Sequence, residues 1–335
     1  MKKVMTIFIG LLMIVLAAGY FMQGEDDRQR RILKLAHGLN TRHPVHKAME
    51  FMARRVYELS DGNLEVQIFP SEQLGNEKEC IEALQLGYLA MTKTSTGPME
   101  AFVPEIRIFG IPYLFHDSEH FWKVARGPIG RELLAAGEVK GLRGLCYYDA
   151  GARSFYSKDA PIDSPSDLSG KKVRIMNSVM SMEMIRTMGG SPTPISWGEL
   201  YTSLDQGVVD AAENNPPSFD TSRHFEICRY YSLDEHVRLP DMLVISARVW
   251  ADLSERQKAW LQQAVDESVT YDRTLWTEAE EESLEVVKAG GVIVSYPDKK
   301  PFQDAVRPMW NKYLNAEDKE DKAIGALIRK IQEIR

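Results

Sequence analysis

A short strand carries Arg174 between Val173 and Ile175, and forty residues later Asn214 stands in Glu213-Asn214-Asn215-Pro216-Pro217. Alternation along a strand sends Arg174 to the face opposite its two apolar neighbours. A guanidinium is planar, always charged and able to donate two parallel hydrogen bonds, so an arginine held on a strand suits capture of a carboxylate. Asn214, on a backbone constrained by two prolines, can donate to a carboxylate oxygen while accepting from a neighbour. Arg153 lies on another short strand, flanked by Gly151 and by Phe155 and Tyr156. Two arginines on separate strands can converge on one anion. Each residue alone also has an ordinary reading, an exposed strand arginine or a turn-forming asparagine, so the pattern matters more than any member.

The elements that must position these groups follow from periodicity. ILKLAH (32–37) reads as a strand, 44–59 as an amphipathic helix, LEVQIF (64–69) as a strand, 77–86 as a helix closed by Gly87, and YLAMT as a strand. That rhythm is an α/β unit with a mainly parallel sheet, in which ligands sit beyond the carboxyl ends of strands. His37, ending the first strand, and Glu77, starting a helix, are therefore placed for contact. From Gly141 the pattern restarts: LRGLCYY, ARSFYS and KKVRIM read as strands, 179–188 and 196–206 as helices, and LPDMLVISARVW (239–250) as a return. Asp149–Gly151 is the candidate hinge. Ser254 opens the longest helix with Gln257 three residues on, a capping box, and the pattern runs to about Lys288. At about 1.5 Å per residue that is roughly 50 Å, longer than one lobe, so the helix is expected to cross both as a spine.

Length and charge narrow the class. The chain has 335 residues, more than one core usually accommodates, and a net charge of −7 with no basic run beyond Ile32, which argues for two lobes and against nucleic acid. Met1-Lys2-Lys3 followed by the apolar run from Val4 to Met22 is an export signal, just long enough to remain as an anchor. The expected division is 1–24 as signal peptide or N-terminal anchor, 31–150 with about 240–275 as one lobe, 151–239 with about 276–318 as the other, and 319–335 as a C-terminal helix. Cys80, Cys146 and Cys228 lack metal or redox spacing and read as buried small hydrophobes.

The order of landmarks resembles the solute receptors of TRAP transporters, the DctP family, over essentially Ile32 to Pro308. The chain carries Gly151-Ala-Arg153, Lys172-Val-Arg174, Gly189-Gly-Ser-Pro-Thr-Pro194, Glu199-Leu-Tyr201, Leu204, Gly207-Val-Val-Asp210 and Glu213-Asn214, preceded by Ser71-Glu-Gln-Leu-Gly75 and Pro112-Tyr-Leu-Phe115. It departs at Gly190, Ser203, Asp205 and Ala211, none of them an arginine. The resemblance implies a two-lobed periplasmic-binding-protein fold of type II-like build, with two mixed sheets flanked by helices and the ligand cleft between them. It also implies that Arg174 makes the two-pronged carboxylate contact, that Arg153 and Asn214 complete the clamp, that Trp197 packs on the ligand and that Asn177 borders the carboxylate. A periplasmic location, a membrane permease as partner and no cofactor or catalysis follow from the same resemblance. Membrane contact is then expected only through the permease or an uncleaved N-terminal segment.

Glu77, His37 and Asn177 around the cleft favour a monoanionic polyol acid, because a carboxylate such as Glu77 accepts from sugar hydroxyls and repels a second carboxylate. GARSFYS and AENNPPSF resemble the uronate-binding branch, so D-glucuronate or D-galacturonate is expected, with sialic acid, a C4-dicarboxylate or a sensing role as alternatives. His116-Asp-Ser-Glu-His120 matches the H-x-x-E-H of a zinc peptidase group in letters, but Asp117 or Ser118 reads as a helix N-cap that leaves His116 outside the helix. Glu280-Glu281-Glu282 reads as a solvated helix face.

Overall fold

The computed structural model describes residues 30–334, so the expected signal segment lies outside the described residues. Its strands, in chain order, are β1 (Arg31–Ala36), β2 (Leu64–Phe69), β3 (Met91–Ser95), β4 (Leu142–Tyr148), β5 (Arg153–Ser157), β6 (Lys172–Ile175), β7 (Ser191–Pro194), β8 (Ala211–Asn214), β9 (Tyr230–Val237), β10 (Asp241–Ser246) and β11 (Ile293–Ser295). They form two mixed sheets, one in the order β2-β1-β3-β10-β4 and the other β11-β9-β5-β8-β6-β7. In the first, β1 runs parallel to β2 and β3, while β10 is antiparallel to β3 and β4. In the second, β6 is parallel to β7 and β8, and β5 is antiparallel to β8 and β9.

The chain crosses from first sheet to second between Tyr148 and Arg153 and returns between Val237 and Asp241. Gly151 lies in the first crossing at φ +56, where a Cβ would come within 2.9 Å of Glu280 Oε1 and Trp276 Nε1. Left-handed backbone and close approach together require glycine there.

Local chemistry fixes the helices that frame the cavity. Asn76 and Glu79 form a reciprocal capping box at the start of Glu77–Leu86, and Gly87 ends that helix in the left-handed conformation. Ser254 and Gln257 do the same for Glu255–Ala289, which runs 35 residues. This long helix packs on Pro44–Leu59 and β4 from the first half of the chain and on Pro216–Thr221 from the second, so it is the expected spine. Its buried stripe includes Leu261, Ala264, Val265, Ser268, Asp272 and Trp276.

Several elements differ from the sequence expectation. The third strand begins at Met91, not Tyr88, and runs on through Lys93, Thr94 and Ser95, all buried. Burial on both faces between β1 and β10 leaves no polar alternation to mark its end. The expected helix 196–206 is a 3₁₀ turn, Trp197–Glu199, followed by the helix Leu200–Asp205. Glu280 is not part of a solvated face: it lies against the Gly151 crossing, and burial pushes its carboxyl up to about 7, while Glu281 and Glu282 are exposed. The three cysteines are free and buried. Lys319–Gln332 is helical and buries Ile324, Ile328 and Ile331 against the chain's core.

Candidate functional site

The carboxyl ends of β3 and β6 and the start of β10 face one another across a cavity. From the first sheet and its loops it is lined by Gly38, Glu77, Lys93, Ser95 and Asp241, and from the second by Arg153, Arg174, Met176, Trp197, Asn214 and Ser218. An adjoining cavity shares Glu77, Arg174, Met176 and Trp197 and adds Glu72 and Asn177.

Arg174 is 3% exposed and projects from β6 between two buried apolar residues. Its Nε donates to the carbonyl of Ile195 at 2.9 Å, its guanidinium lies 5.5 Å from the Trp197 ring centroid, and its buried Nη1 has no partner. No carboxylate forms an ion pair with it among the described residues. Burial depresses its pKa, because the charged form has lost water without gaining a counterion.

Arg153 is in the opposite state. Its Nη2 donates to Glu213 Oε1 at 2.9 Å and to the Glu213 carbonyl at 2.8 Å, its Nε meets Glu213 Oε2, and its Nη1 donates to Asn214 Oδ1 at 2.8 Å. Burial alone would raise the Glu213 carboxyl, but Arg153 and His236 overcome it and hold the group down at about 2. His236, wholly buried, sits 2.9 Å from Asp234 and 3.5 Å from Glu213; burial opposes its charge, yet these two carboxylates raise its pKa to about 9. Arg153 is therefore already neutralised. Asn214 Oδ1 also accepts from the Asn215 N–H at 2.9 Å, which leaves the amide N–H groups of Asn214 as what it offers a guest.

Of the remaining sequence-predicted residues, Glu77 lines both cavities, and its Oε1 accepts from the Ser95 N–H at 2.8 Å. Trp197 lines both and Asn177 only the outer one. His37 is not brought to either wall: its Nε2 is 3.0 Å from His46 Nδ1, it is 2% exposed, and burial and then Lys93 push its pKa down to about 2. Its neighbour Gly38 takes the wall position. The strand ends at Ala36 and the chain bends at Gly38, so the wall is met one residue after His37.

Sequence reasoning missed Lys93, Ser95, Asp241, Ser218 and Glu72. Lys93 Nζ and Asp241 Oδ2 form an ion pair at 2.9 Å with both residues buried. The available signal was a lysine between threonines in Met91-Thr-Lys-Thr-Ser95, a lone cation within an otherwise uncharged strand. Glu72 lies with Ser71 at positive φ, and its Oε2 accepts from the Gly198 N–H at 3.2 Å across the cavity mouth.

Of the two histidines in the zinc-like motif, one stands outside the helix and the other is engaged by backbone groups. Asp117 caps Ser118–Arg126, so His116 precedes the helix. His120 Nδ1 accepts from the His116 N–H at 3.3 Å and its Nε2 lies 3.2 Å from the Ile331 carbonyl. With Nδ1 accepting, Nε2 carries the proton and donates to that carbonyl, so neither ring nitrogen of His120 is open to a metal.

Two mixed sheets joined by crossing segments, with a polar cavity between them, define a substrate-binding-protein fold. Residues 35–317 match the DctP family, described as bacterial extracellular solute-binding protein, family 7, and the chain belongs to that family. Its structure is similar to that of a TRAP periplasmic solute-binding protein from Bradyrhizobium sp. BTAi1 in complex with α/β-D-galacturonate, at TM-score 0.86 and 41% identity over 90% of this chain and 100% of that one. It is similar also to the Roseobacter denitrificans TRAP periplasmic solute-binding protein with bound β-D-glucuronate, at TM-score 0.87 and 34% identity over 91% of this chain and 100% of that one. A solute-binding protein of Chromohalobacter salexigens is 34% identical over 292 residues, 87% of this chain and 86% of its own length.

Proposed function

We propose that this chain is the extracytoplasmic solute receptor of a TRAP transporter, exported to the periplasm, where it binds a sugar acid of the D-glucuronate or D-galacturonate type and delivers it to membrane permease subunits. The observation that carries this reading is Arg174: a buried cation with an unpaired donor and no counterion, aimed at a cavity between two lobes. A carboxylate supplies what Arg174 lacks, a negative charge and two acceptors. Asn214 adds amide donors, Arg153 and Glu213 hold Asn214 in place, and Trp197 offers an aromatic face to the sugar. Opposite, Glu77 accepts from hydroxyls and disfavours a second carboxylate. The galacturonate and glucuronate bound by similar proteins support the same ligand class.

The groups in the cavity bind and orient, and closure of the lobes around the guest creates the form that the permease recognises. Titration calorimetry with D-galacturonate and D-glucuronate tests the reading: the wild type binds, and Arg174→Ala loses at least about a hundredfold in affinity, because a desolvated carboxylate is left without its charged partner. Retention of wild-type affinity by Arg174→Ala would remove the arginine from the site.

A further inference from the structure

Lys93, Ser95 and Asp241 form one surface at the end of the first sheet. Lys93 and Ser95 are two residues apart on β3 and so share a face. Asp241 is the direct cross-strand partner of Ser95 in the antiparallel β3–β10 ladder, and directly opposed residues also share a face. All three line the inner cavity, on the wall opposite Arg174.

The chemistry of this surface is unusual for a wall that only has to close a core. A buried ion pair costs more in lost hydration than apolar residues of the same volume would. Lys93 uses one of three ammonium donors on Asp241, at 2.9 Å. Ser95 is 7% exposed, and its buried hydroxyl has no partner even though its backbone N–H is held by Glu77. A buried hydroxyl without a partner costs free energy unless a guest satisfies it. Donor, acceptor and hydroxyl thus stand side by side, all with bonding capacity to spare.

From this juxtaposition we propose that Lys93, Asp241 and Ser95 form a diol-reading subsite, which binds adjacent ring hydroxyls of the sugar acid while Arg174 holds the carboxylate at the other wall. One hydroxyl oxygen accepts from the Lys93 ammonium, and its neighbour donates to the Asp241 carboxylate. The Ser95 hydroxyl completes the set. Lys93 and Asp241 are together neutral and Glu77 is negative, so this wall rewards hydroxyls and gives no counterion to a second carboxylate. Discrimination against unhydroxylated acids and dicarboxylates therefore resides here rather than at the arginine. The subsite rests on the sugar-acid reading above.

The test compares two ligands on the full protein by calorimetry: D-galacturonate or D-glucuronate, and tetrahydropyran-2-carboxylate, the same ring acid without hydroxyls, titrated at millimolar concentration. Asp241→Asn, which keeps shape, and Ser95→Ala, which removes only the hydroxyl, are each expected to weaken uronate binding about tenfold, as loss of a charge-assisted or buried hydrogen bond does. Affinity for the stripped acid stays within about twofold, so the preference for the uronate shrinks. Should Asp241→Asn unfold, Ser95→Ala carries the test, since it leaves the Lys93–Asp241 pair and the Glu77 contact in place. A wild type that binds uronate, with variants that keep the full preference, overturns the subsite alone. A wild type that binds succinate and no uronate overturns the proposed function and the subsite with it.

Discussion

Arg153 and Arg174 stand on strands of one sheet with β8 between them, both buried, yet one carries its own counterion and the other none. Their roles separate by experiment on the unliganded protein. Arg153→Ala takes the principal counterion from the buried Glu213 carboxylate, leaving only His236 at 3.5 Å, and should cost about 3 kcal/mol of stability. Arg174→Ala removes a buried charge that has no partner and should leave the melting temperature unchanged or raised; equal losses for both would contradict this division. From sequence, Arg174 was legible through its alternation with Val173 and Ile175. The partner of Arg153 was not, because Glu213 lies sixty residues away and reaches it only through the β5–β8 register, Phe155 opposite Glu213. His236 belongs to the same network. Its pKa is raised from 6.5 to about 9, so its stabilising charge is fully present below the unfolded value and lost as pH rises through the folded one. The melting temperature should therefore fall between about pH 6.5 and 9, and His236→Gln should flatten that fall. A wild-type melting temperature constant across the window would exclude the ionised network.

At the scale of elements, the capped helices were the most legible, since each capping box is written within four residues. The spine is the clearest case: Ser254 and Gln257 set its start, and the apolar stripe carries it to Ala289 against an expected Lys288. Strand ends were harder. Lys93 and Ser95 were invisible as cavity residues because their strand is buried on both faces, so nothing in its pattern separates the wall from the core. The Ser71–Glu72 turn carries a further consequence. Two successive non-glycine residues at positive φ hold Glu72 over the cavity mouth, where it accepts from the Gly198 N–H of the opposite half. Glu72→Ala should speed ligand dissociation several-fold in stopped-flow measurements, consistent with loss of one hydrogen bond across the mouth, with little effect on association. An unchanged dissociation rate would deny the contact any part in closure.

On the scale of the whole molecule, the two sheets are separate units joined by crossing segments and by one helix that packs on both. The order of strands and helices made this architecture legible, and the family match over residues 35–317 agrees with it. The inner cavity exists only because the units meet; neither sheet alone encloses a ligand. Sequence distance therefore says little about the site: Lys93 and Asp241 reach one wall from positions 148 residues apart, and His37, which seemed well placed, turns away into a buried pair with His46. Glu280 shows the same limit, because its environment is made by the crossing at Gly151 and not by its own helix.

The central claim, that the cavity holds one carboxylate at Arg174 and a hydroxyl-rich ring against the opposite wall, is tested most directly by the melting temperature of the wild-type protein with D-galacturonate, D-glucuronate, succinate and sialic acid, each at the same concentration, one that saturates the uronate. A ligand at about a thousand times its Kd stabilises the folded state by about 4 kcal/mol. The uronates should raise the melting temperature by several degrees, and succinate and sialic acid by far less. A larger shift with succinate or with sialic acid than with either uronate would contradict the account.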